Sequence, residues 1–208
     1  MSANSHSTKA PSDSREAILD AAERLMMRNG YDKTSIARIC RESGFPVGSL
    51  YHHFGSKSAL LSQVMERVSH RFFASLPASP GSRSTVEREL AEYWDAVTET
   101  IVGSLGYFTL YLELLKMSFE DPDLRTLMDA RNRSSYESIA EELLPFARSA
   151  GVADPDEVAG RLGRVVMVHT LGAVMTSAGS ADAIREEMAG IRQVVRDVIM
   201  SSGAGQPG

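Results

Sequence analysis

Residues 44–57 read GFPVGSLYHHFGSK. Gly44 closes the segment before it, Pro46 suits the first turn of a helix because its missing N–H has no partner there anyway, and Gly55 stops that helix after Phe54. Leu50 and Phe54 lie four apart, share one face and are expected to be buried, with Phe45 beside them. Ser49, Tyr51, His52 and His53 remain as groups that could do chemistry. Adjacent residues on a helix point roughly 100° apart. No Cys or further His stands three or four positions from either histidine, so a surface or phosphate contact outweighs a metal site.

The flanks decide what this short helix belongs to. Upstream, Asp13-Ser14-Arg15-Glu16 resembles a capping box opening a first helix over 14–29, with Ile18, Ala21, Ala22 and Leu25 at helical spacing and Asn29-Gly30 as its stop. Thr34 is expected to cap a second, short helix with Ile36, Ile39 and Cys40 on its apolar face. That placement favours Cys40 as a small buried hydrophobe over a nucleophile. Downstream, Ser56 caps a fourth, longer helix carrying Leu60, Leu61, Val64, Met65 and Val68. Two short helices joined by a tight glycine-containing turn form a helix-turn-helix.

Beyond it, SLPASPGSRS at 75–84 has the composition of a linker. Further helices are expected at about 84–102, 107–118, 122–150, 155–178 and 180–200, punctuated by Gly103, Gly106, Pro122, Gly151, Pro155 and Gly179. No strand-like alternation stands out. The fold class is all-α, about nine helices in total, with an N-terminal three-helix helix-turn-helix and a C-terminal helical domain, to which the family resemblance described below assigns ligand binding and dimerisation. The expected division is a disordered arm at 1–12, the helix-turn-helix domain at 13–56, the helical body at 57–202 and a disordered tail at 203–208.

Composition sets limits on the alternatives. With 43% hydrophobic and 24% charged residues, the chain has the make-up of a globular protein with a real core. Its one cysteine cannot form an intramolecular disulfide, no uninterrupted apolar run approaches the roughly 20 residues of a membrane helix, and the N-terminus lacks the apolar stretch of a secretory signal. A cytoplasmic location without a membrane partner is the expectation. The net charge of −5 is unevenly divided: residues 1–60 hold eight Lys/Arg against six Asp/Glu, and the rest fourteen against twenty-one. A basic end on an acidic body suits contact with a polyanion. No Ser/His/Asp order, carboxylate pair, phosphate loop or metal spacing supports an enzyme, and no cofactor or metal is expected.

Residues 13–61 resemble the N-terminal domain of the tetracycline-repressor (TetR) family of bacterial transcription regulators. The likeness rests on the alanine-rich first helix ending in Asn29-Gly30-Tyr31, on Thr34-Ser35, on Gly48-Ser49-Leu50-Tyr51-His52-His53-Phe54 after Gly44, and on Ser56-Lys57 and Leu60-Leu61. It implies a third helix that enters the DNA major groove, a homodimer on a palindromic or pseudo-palindromic operator, and a pocket for an unknown small-molecule effector. The candidate DNA contacts are Lys33, Thr34, Ser35, Arg38, Pro46, Val47, Gly48, Ser49, Tyr51, His52, His53 and Lys57. Small residues at Gly48 and Ser49 permit close approach, while Tyr51, His53 and Lys57 are expected on phosphates, which fix register rather than sequence. Two positions depart from the family pattern: Pro46 where a Ser or Thr cap is usual, and Val47 where a polar or basic residue is common. Val47 is therefore expected to meet a thymine methyl.

In the body, Trp94, Tyr107, Phe108, Tyr111, Met117, Tyr136, Met167 and Met175 are each more readily core residues. As a set they suit an adaptable apolar pocket, with Glu113 and His169 as polar candidates. Near the C-terminus, Ile184, Met188, Ile191, Val195 and Val198 repeat at 4, 3, 4, 3, and Val158, Leu162 and Val165 open a similar series, with Gly160, Gly163 and Ala173 permitting close approach. Such seams pair helices within one chain or between two; the resemblance makes them the dimer interface. The expectation is a repressor released from its operator by a small apolar or aromatic effector, against an effector-independent architectural DNA-binding protein or, remotely, an all-α enzyme.

Overall fold

A computed structural model describes residues 11–78 and 84–203. Residues 204–208 of the expected tail, 1–10 of the arm and half of the linker lie outside these, while Gly203 ends α9 and residues 11–12 open α1. Among the described residues there are nine helices and no strand: α1 (Pro11–Asn29), α2 (Ile36–Ser43), α3 (Val47–Phe54), α4 (Lys57–Ser75), α5 (Val86–Val102), α6 (Leu105–Ser118), α7 (Pro122–Ser149), α8 (Pro155–Thr176) and α9 (Ala181–Gly203).

The ends follow local chemistry. Ser56 Oγ accepts the Ala59 N–H at 3.0 Å to open α4. Asp121 accepts from Asp123 and Leu124 ahead of Pro122, and Asp154 accepts from Glu157 ahead of Pro155. Two expected caps are corrected. α1 begins at Pro11, so Asp13 sits inside its first turn and favours the helix dipole instead of capping it. α2 is capped by Ser35, whose hydroxyl accepts from Arg38 N at 3.2 Å. Thr34 is fully buried and donates to the Gly30 carbonyl at 2.8 Å.

One apolar core runs from Ile18 on α1 to Ile199 on α9 without interruption. The boundary drawn after residue 56 is therefore not a break in packing, and α4 serves both parts. Arg67 pairs with Glu16 and Asp20, and Arg71 with Glu23, fastening α4 along α1. Gly106, expected as a break, lies inside α6: a Cβ there would meet Met27 Cε at 3.0 Å, so the glycine lets α6 press on α1. Gly163 does the same for α8 on α7, where a Cβ would fall 2.5 Å from the Tyr136 carbonyl oxygen. This packing ties α8 into the core, although among the described residues it is the one helix long and apolar enough to cross a membrane by length and composition.

The seam expected between protomers is corrected in the same way. Ile184, Met188, Ile191 and Val195 are buried within the chain, as are Val158 and Leu162, and Val198 is half-buried. α9 is covered by α5, α7 and α8, and α8 by α7 and α9. The Trp94 indole N–H donates to the Met188 carbonyl at 2.8 Å, and Arg185, Arg192 and Arg196 of α9 pair with Glu99, Asp95 and Glu87 of α5. The apolar residues left outside are Val165, Val168 and Met175 on α8 and Val194 on α9, each 46–60% exposed. Of the expected interface residues, only Val165 is among them.

Candidate nucleic-acid interface

α3 meets the protein through Leu50 and Phe54, both buried. This leaves Pro46, Val47, Gly48, Tyr51 and His52 exposed, with Ser49 half-buried. Val47 and Tyr51, one turn apart, are 44% and 48% exposed, so the outward side of α3 presents two adjacent apolar or aromatic side chains. A Cβ placed on Gly48 would meet nothing within 4 Å. A glycine inside a helix costs about 1 kcal/mol relative to alanine, so nothing within the chain accounts for it.

On or just before α2, which packs against α3, Lys33, Ser35 and Arg41 are exposed and Arg38 is half-buried. Among the described residues Lys33, Arg38 and Arg41 have no carboxylate within ion-pair distance, whereas Arg24 nearby is taken by Glu42 at 3.1 Å. Three cations without a carboxylate partner among the described residues thus lie on or just before the helix that packs against the exposed α3, although the whole chain is acidic.

Three expected contacts are placed elsewhere. Thr34 is buried, so its hydroxyl serves the Gly30–Ser35 turn rather than a partner. His53 turns toward α1, with its Nε2 2.7 Å from Ser14 Oγ. Lys57 donates from Nζ to the Tyr31 carbonyl at 2.7 Å and lies 4.0 Å from the centre of the Tyr31 ring. Burial lowers the Lys57 pKa, opposed by the nearby Asp32 and Glu113 carboxylates. The same burial, with those two carboxylates, raises that of the Tyr31 phenol. Tyr31 is thus a linking residue that sequence reasoning missed, although it stands in the Asn29-Gly30-Tyr31 turn that ends α1.

The expected pocket residues are dispersed. Tyr107, Phe108 and Met167 line an apolar cavity with Phe72, Phe73 and Ile101, of only about 50 Å³. Drug-sized ligands occupy about 300–1,000 Å³. Tyr111 donates to Asn132 at 2.5 Å, Trp94 is held by Met188, Met117 packs half-buried on the core, and Tyr136 lies under Arg164 at 5.2 Å. Glu113 is bound to the α1–α2 turn, its Oε2 accepting the Tyr31 N–H. His169 contacts the Glu187 carbonyl at 3.0 Å, and Met175 is on the outer face of α8. A larger cleft of about 520 Å³ opens between α4 and α7, lined by Ser69, Phe73, Leu127, Arg131, Ser135 and Ser138 among others. Sequence reasoning gave no sign of it.

An exposed third helix on a helix-turn-helix frame, in an all-α chain, defines a DNA-binding transcription regulator. Comparison with known proteins agrees. Residues 18–64 match the family model described as bacterial regulatory proteins, tetR family. The chain is 25% identical over 194 residues to the HTH-type transcriptional regulator UidR of Escherichia coli (strain K12), an alignment spanning 90% of this chain and 94% of that one. Over 57 residues it is 47% identical to the HTH-type transcriptional regulator LmrA of Bacillus subtilis, covering 27% and 30% of the two chains. Among solved structures, Salmonella enterica GusR superposes with a TM-score of 0.62 at 23% identity over 92% of this chain and 98% of that one. A TetR-family regulator from Agrobacterium tumefaciens gives 0.64 at 21% over 89% and 98%. Residues 18–64 thus match the DNA-binding domain of the tetR family, and along its length the chain is similar to a transcriptional regulator and shares the fold of TetR-family structures.

Proposed function

We propose that the chain acts as a cytoplasmic homodimeric repressor, released from a palindromic or pseudo-palindromic operator by a small molecule. The observation that carries this is the exposed face of α3, with Val47, Gly48 and Tyr51 bare, and Lys33, Arg38 and Arg41 on or before the adjoining α2 without a carboxylate partner among the described residues. In this reading Val47 meets a thymine methyl, Ser49 reaches a base edge or a phosphate, and Ser35, Tyr51, His52 and the three cations hold the backbone. Pro46 supplies no side-chain acceptor at the helix start. Lys57, Thr34 and His53 act indirectly by fixing the frame.

A second copy covers the outer stripe of Val165, Val168, Met175 and Val194. Two copies then set their recognition helices about 34 Å apart, or a multiple of that, along one side of the duplex. The functional units are 13–56 for DNA and 57–202 for effector and partner, with α4 joining them. Apolar surface around Phe73 and Leu127 in the α4–α7 cleft supports an effector with an apolar or aromatic part.

Mobility shifts test the reading against an architectural role. A regulator binds its own upstream DNA about 10³-fold or more tighter than bulk DNA; an architectural protein binds both alike.

A further inference from the structure

Arg131, on α7, is half-buried in the wall of the α4–α7 cleft. One of its terminal nitrogens, Nη1, donates to the Met65 carbonyl at 3.0 Å and to Ser69 Oγ at 2.5 Å, both on α4. Its Nε is buried with no hydrogen-bond partner, and no carboxylate lies within ion-pair distance among the described residues. A guanidinium partly withdrawn from water, with one nitrogen left without a hydrogen bond, favours an anion at its open side, because desolvating the charge is costly; of the protein's own carboxylates, Glu66 acts on it from the rim without pairing. Around it the cleft supplies hydroxyls from Ser135 and Ser138 and apolar surface from Phe73 and Leu127. Glu66 on the rim is exposed and His70 stands beside it.

We propose that this cleft binds a small carboxylic acid with an apolar body, its carboxylate on Arg131 and its body against Phe73 and Leu127. One guanidinium neutralises one charge, and the Glu66 carboxylate on the rim disfavours a dianion such as a phosphate monoester. The volume of about 520 Å³ lies in the range of small-molecule sites. The inference rests on the small-molecule-responsive reading above and names the effector class. It also gives the effector a point of action: Arg131 holds α4 through Met65 and Ser69, and α4 begins at Lys57, which holds the DNA-binding turn. An acid that draws on the guanidinium changes what holds α4.

Calorimetry on the full chain with 4-phenylbutyrate and its uncharged counterpart 4-phenylbutyramide tests this. The acid is expected to bind about ten- to a hundredfold tighter than the amide, the worth of a charged hydrogen bond. The preference should vanish in Arg131→Gln. Ser134→Asp, one helical turn from Arg131 and exposed, offers the guanidinium an internal carboxylate and should weaken the acid alone, so the test survives if the Arg131 variant fails to fold. Equal binding of acid and amide, binding of neither, or a preference unchanged in Ser134→Asp and in a folded Arg131→Gln would overturn the proposal. Operator binding, measured in parallel without ligand, separates the two levels. If it persists, only the effector class is lost; if it is absent, the regulator reading itself is lost.

Discussion

The Glu113 carboxylate of α6 accepts the backbone N–H of Tyr31 at 2.5 Å, across 82 residues of sequence. The next peptide oxygen, that of Tyr31 itself, accepts Lys57 Nζ at 2.7 Å. The turn between α1 and α2 is therefore gripped from the body by α6 and from the start of α4. Gly30 belongs to the same joint: its φ is +80°, and a Cβ there would stand 2.8 Å from Glu113 Oε1. The helix-turn-helix is thereby joined to both α4 and α6.

Glu113→Gln keeps the shape and removes the charge at this joint, and Glu113→Ala leaves the Tyr31 N–H without its partner. The alanine variant is expected to lose about 1.5–3 kcal/mol of stability, the range for hydrogen bonds to charged groups, and the glutamine variant less. Urea melts check the order. In both, effector should relax operator affinity less than in the parent chain, and an unchanged response would remove the joint from the signalling route.

Gly48→Ala should separate folding from recognition. The added methyl meets open space and improves helix propensity, so stability should rise by up to about 1 kcal/mol. Operator affinity should fall, because the methyl stands where the duplex approaches. Thermal melts and mobility shifts on one preparation give both readings; tighter or unchanged DNA binding would move the contact face away from Gly48.

Much of this frame was legible in the sequence because helix ends are local. Gly44, Gly55, Ser56, Pro122 and Pro155 carry their own conformational reasons, and the helices end within a few residues of where those residues place them. Thr34 and Ser35 are equally good caps, and only the tertiary burial of Thr34 decides between them. Periodicity on α9 showed that a face is apolar but not what covers it. The informative signal was the arginines at 185, 192 and 196, which match the acids on α5. Arg131 had no sequence signal, since one arginine on a long helix is ordinary until its surroundings are known.

Val168→Glu and Ile191→Glu should behave differently although both lie in the C-terminal helix pair. Val168 is 60% exposed, so its change should yield a folded monomer with weakened operator binding. Ile191 is 3% exposed within the chain, so its change should unfold the body. Sedimentation and circular dichroism distinguish the outcomes, and a Val168→Glu dimer would place the interface elsewhere.

Lys33→Ala, Arg38→Ala and Arg41→Ala should each weaken DNA binding at all sequences and reduce the salt slope by about 1 if the residue contacts a phosphate. Val47→Ala should instead change which bases are preferred, with little effect on the salt slope. An unchanged base profile would contradict the thymine-methyl contact.

A footprint on the DNA upstream of the coding region tests the central claim most directly. Two protected half-sites related by a dyad are expected, centred about 34 Å apart or a multiple of that, with protection lost in Tyr51→Ala. Uniform coverage, no protection, or a footprint unaltered by Tyr51→Ala would contradict a paired DNA reader that works through α3.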